Sequence, residues 1–122
     1  MFESGLQYVR ADFHLHTLKD KEFTYSGEST SFVGDYVSAL KNASINVGII
    51  TNHNKFDIEE YKAIRKAAKK QDIFILPGVE LTVKEGANGI HTLIVFNPEE
   101  WLENGNNHIC LLYTSDAADE ED

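Results

Sequence analysis

Short apolar runs alternate with segments of helix-spaced apolar residues along the first hundred positions of the chain. Four runs are rich in β-branched and aromatic residues, and they predict strands at Tyr8–His16, Ile45–Thr51, Ile73–Leu76 and Ile90–Phe96. The second run is almost continuously apolar, which is typical of a strand covered on both faces. A polar segment at Thr17–Glu28 predicts a loop after the first strand.

Two long helices are predicted between these strands. The first is capped by one of residues 29–31, ends near Asn42 and Ala43, and has helix-spaced apolar positions at Phe32, Val33, Tyr36, Val37 and Leu40. The second begins after Asp57 and has a buried stripe of Ile58, Tyr61, Ile64 and Ala68. A glycine-rich turn at Glu85–Gly89 precedes the last strand, and a short helix at Glu99–Glu103 follows it. The order β-α-β-α-β-β is that of an α/β fold, and the helical crossovers imply that the first three strands are parallel.

The length and composition indicate an ordinary globular protein. The chain has 122 residues, so it forms at most one domain, and no apolar run approaches the ~20 residues of a membrane span. The N-terminus lacks the basic and apolar regions of a signal peptide, and a single cysteine excludes an internal disulfide framework. We therefore expect a cytoplasmic protein without a membrane partner.

The net charge of −9 reflects mainly the end of the chain. Five of the 20 acidic residues lie in the last seven positions, so residues 1–109 carry 11 basic and 15 acidic residues, a net charge of −4. This balance gives no sign of a nucleic-acid-binding face, although a local basic patch stays compatible with it. The clustered cations have the spacing of a solvated helix face: Lys62, Arg65, Lys66, Lys69 and Lys70.

Two histidines, His14 and His16, lie one residue apart at the end of the first predicted strand. Side chains at positions i and i+2 of a strand point to the same face, so both imidazoles can reach one metal ion. The pair is also compatible with surface histidines on an edge strand. The pair alone does not separate these two interpretations.

The other strand ends carry further residues that can bind metals. His53 follows the second strand, Glu80 follows the third, and His91 lies near the start of the fourth. Each of the three could be structural by itself, but ligands on successive strand ends of an α/β fold together predict a multinuclear metal site. Imidazoles with a carboxylate suit Zn²⁺, Mn²⁺ or Fe²⁺, and such ions activate water for attack on a phosphoester. No serine or cysteine nucleophile with a partnered base, and no phosphate-binding glycine loop, is visible.

Four motifs of the chain resemble the PHP family, the polymerase and histidinol phosphatase domain. They occur in the family's order at Asp12–Thr17 (DFHLHT), Ile50–Asn54 (ITNHN), Pro77–Glu80 (PGVE) and Gly89–Leu93 (GIHTL). The resemblance implies a distorted (β/α)7 barrel similar to a TIM barrel, with two or three divalent metal ions at the C-terminal ends of its strands. It also implies a hydrolase in which metal-activated water attacks a phosphomonoester or a phosphodiester.

The resemblance also implies individual roles. His14 and His16 would bind one ion, Glu80 would bridge two, and His91 would serve the second. His53 would bind a third ion. Asp20 stands one position away from a loop carboxylate that many relatives use as a ligand, so it ranks below these five.

Two further residues, Asp12 and Asn52, are expected to support the ligands from behind. Asn52 replaces the aspartate of the family's Thr-Asp-His signature, which weakens any negative partner at that position.

The loop at Lys19–Phe23 and the segment Thr51–Phe56 look most like the TrlF-like proteins, in which a PHP domain precedes an ATPase module. The implied substrate is a phosphorylated small molecule or a nucleic-acid phosphodiester. The alternative is a non-catalytic or regulatory PHP module attached to an ATPase that acts on nucleic acid. The family's C-terminal Asp-x-His pair, which has no counterpart here, is the feature that separates the two hypotheses. The family's later histidine also has no counterpart here.

A complete barrel of this type needs about 200 or more residues. We therefore expect residues 1–109 to be the N-terminal part of a PHP domain, forming the first half of its barrel, and the isolated fragment to be inactive. Residues 110–122 resemble the translation of a sequencing adapter, and we expect them to be a non-native tail. A natural acidic tail is the alternative.

Overall fold

The computed structural model describes residues 8–83 and 90–98, which form one four-stranded sheet with two helices. The elements are β1 (Ala11–Leu15), a 3-10 turn (Ser29–Ser31), α1 (Phe32–Asn42), β2 (Val47–His53), α2 (Ile58–Lys69), β3 (Phe74–Val83) and β4 (Ile90–Val95). The strands lie in chain order, with β1, β2 and β3 parallel and β4 antiparallel to β3. The predicted α/β order and the parallel pairing of the first three strands are confirmed.

The sheet is curled into a half-barrel, which is consistent with part of a TIM-like barrel. Within the described ranges, no helix combines the length and the apolar character that crossing a lipid bilayer requires. Three predictions concern segments outside the described residues: the turn at Glu85–Gly89, the helix at Glu99–Glu103 and the tail at residues 110–122.

The helix boundaries agree with their sequence signals. Helix α1 ends at Asn42, and the carboxylate of Asp57 caps α2 by accepting a hydrogen bond from the Glu60 amide at 2.8 Å. Of the predicted stripe of α2, Tyr61, Ile64 and Ala68 are buried. These residues pack with α1 and with β2 and β3 in one apolar cluster, so both helices cover the same face of the sheet.

Several strand boundaries differ from the prediction, and β2 spans Val47–His53 instead of Ile45–Thr51. Strand β1 is shorter than expected, because Tyr8 is fully exposed and His16 lies beyond the last paired residue. Strand β3 continues past Pro77 to Val83, because β2 and β4 pair with it on both sides. The prediction that it ends at Leu76 was wrong. Pro77 still uses its carbonyl, which accepts from the Phe96 amide at 2.9 Å.

Gly48 lies where side chains of the neighbouring strands crowd the helix-covered face of the sheet. A Cβ atom at Gly48 would lie 2.7 Å from Leu15 Cδ1 and 3.3 Å from Ile75 Cδ1. The side chains of β1 and β3 therefore meet across β2 at this position, and packing at this density leaves no room for a methyl group.

Candidate metal centre

The carboxyl ends of the three parallel strands bring four predicted site residues to one edge of the sheet. His14 and His16 come from the end of β1, His53 ends β2, and Glu80 pairs with His53 across β2 and β3. His91 joins them because β4 is antiparallel to β3, so the beginning of β4 lies where β3 ends. The structure thus brings together all five residues predicted as metal ligands.

The carboxylate of Glu80 lies at the centre of this cluster, and the residue is 3% exposed. Its Oε1 atom lies 2.8 Å from His14 Nε2, 3.2 Å from His16 Nε2 and 3.1 Å from His53 Nε2. Its Oε2 atom lies 2.7 Å from His91 Nδ1. Four imidazoles from three different strands therefore converge on one buried carboxylate.

Burial alone would raise the pKa of Glu80, because it penalises the charged form. Hydrogen bonds from His14 and His16, the charge of His53 and the hydrogen bond from His91 act in the opposite direction and hold the pKa below its usual value. Glu80 is thus kept ionised inside the cluster. An ionised carboxylate is the form that binds metal ions.

Asp20 lies beside this cluster and is itself buried. Its Oδ2 atom accepts the His53 amide at 2.7 Å and lies 3.0 Å from His53 Nδ1, and Oδ1 accepts the Glu22 amide at 2.8 Å. Burial would raise the pKa of Asp20, but these hydrogen bonds and the charge of His16 hold it below its usual value. The loop after β1 therefore brings a second ionised carboxylate, Asp20, to the carboxyl edge of the sheet. The sequence analysis placed Asp20 below the five main candidates.

The ligand atoms form three groups in which all atoms lie within 4.8 Å of one another. The groups are His14, His16 and Glu80; His53, Glu80 and His91; and His16, Asp20, Glu22 and His53. Glu80 belongs to the first two groups, as a bridging ligand would. The mixture of imidazole and carboxylate donors fits Zn²⁺, Mn²⁺ or Fe²⁺.

Glu22 was missed by the sequence prediction. In the sequence, Glu22 differs from other surface carboxylates only in its position, two residues after Asp20 in the same loop.

Asp12 supports the site through the backbone of β1. Its Oδ1 atom accepts the His14 amide at 3.0 Å, a local bond in which an aspartate binds the amide two residues later. Asp12 pairs with Gly48 and Leu15 with Ile50, so β1 contains one more residue than β2 over this stretch, a β-bulge. Because of the bulge, Asp12 is paired with Gly48 on the helix-covered face of the sheet. His14 lies on the opposite face, where it contacts Glu80.

Asn52 lies behind the ligands and contacts the loop after β1. Its Oδ1 atom accepts the Thr17 amide at 2.8 Å, and its Nδ2 donates to Thr17 Oγ1 at 2.8 Å. Both residues are buried, with exposures of 2% and 0%. Asn52 thus fixes the residue that follows His16.

Two residues that the sequence prediction omitted also hold Glu80 and His16 in place through their backbone carbonyls. Asn54 adopts a left-handed backbone conformation with φ of 45°; its amide donates to the Glu80 carbonyl at 2.8 Å, and its Oδ1 accepts the Thr82 amide at 3.1 Å. Tyr36 on α1 donates its hydroxyl to the His16 carbonyl at 2.8 Å. Burial, followed by the charges of Glu60 and Asp12, raises the pKa of Tyr36, so this hydroxyl keeps its proton.

The solved structures that share this fold include the following two neighbours. An amidohydrolase from Chromobacterium violaceum, solved with bound sulfate and no metal, superimposes with a TM-score of 0.51 and 21% identity over 71% of this chain and 28% of its own. A candidate metal-dependent phosphoesterase from Bifidobacterium adolescentis superimposes with a TM-score of 0.59 and 18% identity over 92% of this chain and 34% of its own.

This chain thus spans about a third or less of each neighbour, and at these identities the likeness establishes the fold alone. Neither the family models nor the curated proteins compared with this chain match it.

Proposed function

We propose that this chain is part of a metal-dependent phosphoester hydrolase of the PHP type. The observation that carries the proposal is Glu80, a buried and ionised carboxylate shared by two groups of ligand atoms at the carboxyl edge of a parallel sheet. In the described ranges, every ion-pair partner found for Glu80 is an imidazole. A carboxylate surrounded by imidazoles suits the binding of cations better than the binding of an anionic substrate.

The three groups of ligand atoms suggest how the residues would divide the ions. His14, His16 and Glu80 would hold one ion, and His53, Glu80 and His91 would hold a second. The loop carboxylates Asp20 and Glu22, with His16 and His53, would hold a third. When bound, divalent ions at such a site supply Lewis acidity, which makes water more acidic and offsets the negative charge of a phosphoryl group.

The substrate class in this proposal is a phosphorylated small molecule or a nucleic-acid phosphodiester. Both neighbours carry the names of hydrolases, and one of them is named for phosphoester cleavage. The other was solved with sulfate, a tetrahedral oxyanion with the shape of a phosphoryl group. We further propose that the parent protein has the TrlF-like arrangement, with an ATPase module after the PHP domain.

The proposal is tested with His14→Ala at two levels. In the 122-residue chain, the variant should bind less Zn²⁺ or Mn²⁺ by titration calorimetry. In a parent protein with a complete barrel, it should abolish Mn²⁺- or Zn²⁺-dependent cleavage of a generic phosphomonoester and phosphodiester. The side chain of His14 is 49% exposed, so its removal takes away a ligand and little core volume. The control is Lys62→Ala, an exposed change on α2 that should leave both measurements unaltered.

Unchanged metal-dependent hydrolysis in His14→Ala would contradict the proposal. A parent protein that binds metal with the wild-type sequence but cleaves no phosphoester would instead favour the non-catalytic module. The two hypotheses therefore differ in the wild-type protein itself, before any substitution is made.

A further inference from the structure

Three buried or half-buried polar side chains form a continuous hydrogen-bonded chain behind the candidate metal centre. Asn52 lies near the carboxyl end of β2, Thr17 lies in the loop after β1, and Glu60 lies in the first turn of α2. Asn52 Nδ2 donates to Thr17 Oγ1 at 2.8 Å, and the Thr17 hydroxyl in turn donates to Glu60 Oε1 through a short hydrogen bond. The chain therefore joins three separate elements.

The direction of these hydrogen bonds is fixed by chemistry. An amide nitrogen can only donate, so Thr17 Oγ1 accepts from Asn52 and keeps its own proton free. The Thr17 hydroxyl donates that proton to Glu60 Oε1 through the short hydrogen bond. Asn52 Oδ1 simultaneously accepts the Thr17 amide at 2.8 Å, so the two Thr17 atoms together fix one orientation of the asparagine.

The Thr17 hydroxyl offsets part of the cost of burying the Glu60 carboxylate. Burial is the main reason why the pKa of Glu60 lies above its usual value; the Thr17 hydroxyl lowers it, the charge of Asp57 raises it, and the amide and the charge of Lys19 lower it. The two hydrogen bonds that oppose burial both come from the loop after β1. Glu60 therefore holds that loop at two points, and the loop in turn satisfies the carboxylate.

We infer that the Asn52–Thr17–Glu60 chain is a directional clamp that positions His16 and Asp20 for metal binding. Thr17 follows His16 directly, and the Asp20 amide donates to the Thr17 carbonyl at 2.9 Å. A displacement of Thr17 would therefore move both proposed ligands. This inference rests on the proposed metal site and adds three positioning residues to it.

The clamp also explains how this chain accommodates asparagine at position 52. An aspartate there could accept the Thr17 amide, but its second oxygen would need the single hydroxyl proton that Glu60 already accepts. Two carboxylates would then compete for one proton, and one buried acceptor would be left without a donor, which is destabilising. The carboxylate that position 52 lacks is present at Glu60, one hydroxyl further from the proposed ligands.

The inference is tested by exchanging donors and acceptors in the Asn52–Thr17–Glu60 hydrogen bonds. In Asn52→Asp, both ends accept and the clamp is lost, so Zn²⁺ affinity of the 122-residue chain should fall about 10–100-fold. In Glu60→Gln, the amide oxygen still accepts from Thr17, so the affinity should stay within about threefold of wild type. When both substitutions are combined, the new amide at position 60 can donate to Thr17, and Thr17 can donate to the new carboxylate at position 52. The affinity of this double variant should therefore recover to that of Glu60→Gln.

A second pair of variants tests Thr17 without changing any charge. Thr17→Ser keeps the hydroxyl and should bind Zn²⁺ like wild type, whereas Thr17→Val keeps the volume, loses the hydroxyl and should bind about tenfold more weakly. The affinities are measured by calorimetry on folded protein, and the unfolding midpoint is measured without metal. A lower midpoint with unchanged affinity in Asn52→Asp would overturn the positioning role, as would the absence of rescue in the double variant.

These results separate the inference from the function on which it rests. A wild-type chain that binds no Zn²⁺ or Mn²⁺ would contradict the proposed metal centre itself. A wild-type chain that binds metal, with Asn52→Asp and Thr17→Val binding equally well, would contradict the clamp alone.

Discussion

The two sides of Glu80 are built differently. On the β1 side, the loop that carries His16 and Asp20 is held by hydrogen bonds to β2, α1 and α2. On the β4 side, His91 has a side chain that is 56% exposed. Within the described residues, the hydrogen bond that orients its ring is the 2.7 Å contact with Glu80 Oε2.

This difference indicates which side of the candidate site is preorganised for binding an ion. Ligands whose rotamers and backbone are already fixed bind an ion with little further loss of conformational freedom, whereas an exposed side chain must first be ordered. We therefore expect His16, whose side chain is 22% exposed, to contribute more to ion binding than His91.

The largest effect is expected for Glu80→Gln, because the two sides share this carboxylate. The substitution keeps the shape but removes the charge, and an amide is a poor bridging ligand for two cations. Zn²⁺ affinity should fall by more than the ~10–100-fold that is typical for residues that only support ligands. Calorimetric titration with Zn²⁺ measures it. The matched control, Glu59→Gln on the exposed face of α2, should bind like wild type.

A smaller and asymmetric effect is expected when one imidazole is removed from each side. His16 belongs to two groups of ligand atoms and His91 to one, so His16→Ala should weaken the tightest Zn²⁺ site at least about tenfold more than His91→Ala. Competition with a chromogenic chelator resolves the two affinities. Equal losses in the two variants would show that the preorganised side has no advantage.

The convergence of the strand-end residues could be predicted from the sequence. Parallel strands place their carboxyl ends at one edge of the sheet. A histidine after the predicted second strand and a glutamate after the predicted third strand are therefore expected to be neighbours. The pairing of His53 with Glu80 has this origin. Their assignment as metal ligands stays a prediction.

The contacts behind the ligands could not be predicted in the same way. Thr17 and Asn52 are 35 residues apart, and only the fold shows that one accepts from the other. The left-handed conformation of Asn54 and the fold of the loop around Asp20 depend on contacts with β3 and β2. Such bonds are set by local geometry that hydrophobic periodicity does not encode. The continuation of β3 past Pro77 has the same cause, because neighbouring strands decide it.

The bulge of β1 gives a more moderate test of the preorganised side. In Asp12→Ala, the His14 amide loses its side-chain acceptor, and Zn²⁺ affinity should fall about tenfold. Asp12→Asn keeps an oxygen that can accept this amide, so its affinity should stay within about twofold of wild type. Calorimetry on both variants measures the difference. If both variants bind Zn²⁺ more weakly than wild type and to the same extent, the charge of Asp12, and not its local hydrogen bond, determines the affinity.

The smallest effect is expected for Tyr36→Phe, which removes one hydroxyl from the preorganised side. The ring keeps its packing against Phe32, with ring centroids 5.3 Å apart, but the His16 carbonyl loses its 2.8 Å hydrogen bond. The free energy of unfolding should fall by about 1 kcal/mol, and Zn²⁺ affinity should fall about threefold because His16 is less firmly held.

Tyr61→Phe is the matched control for this last change. The Tyr61 hydroxyl donates to the Ile75 carbonyl at 3.0 Å in the core, away from the ligands. Its loss should lower the free energy of unfolding by a similar ~1 kcal/mol, measured by urea denaturation, while Zn²⁺ affinity stays that of wild type. If both phenylalanine variants lose affinity equally, the hydroxyl of Tyr36 stabilises the fold without positioning His16. If only Tyr36→Phe loses affinity, helix α1 contributes directly to the order of the metal centre.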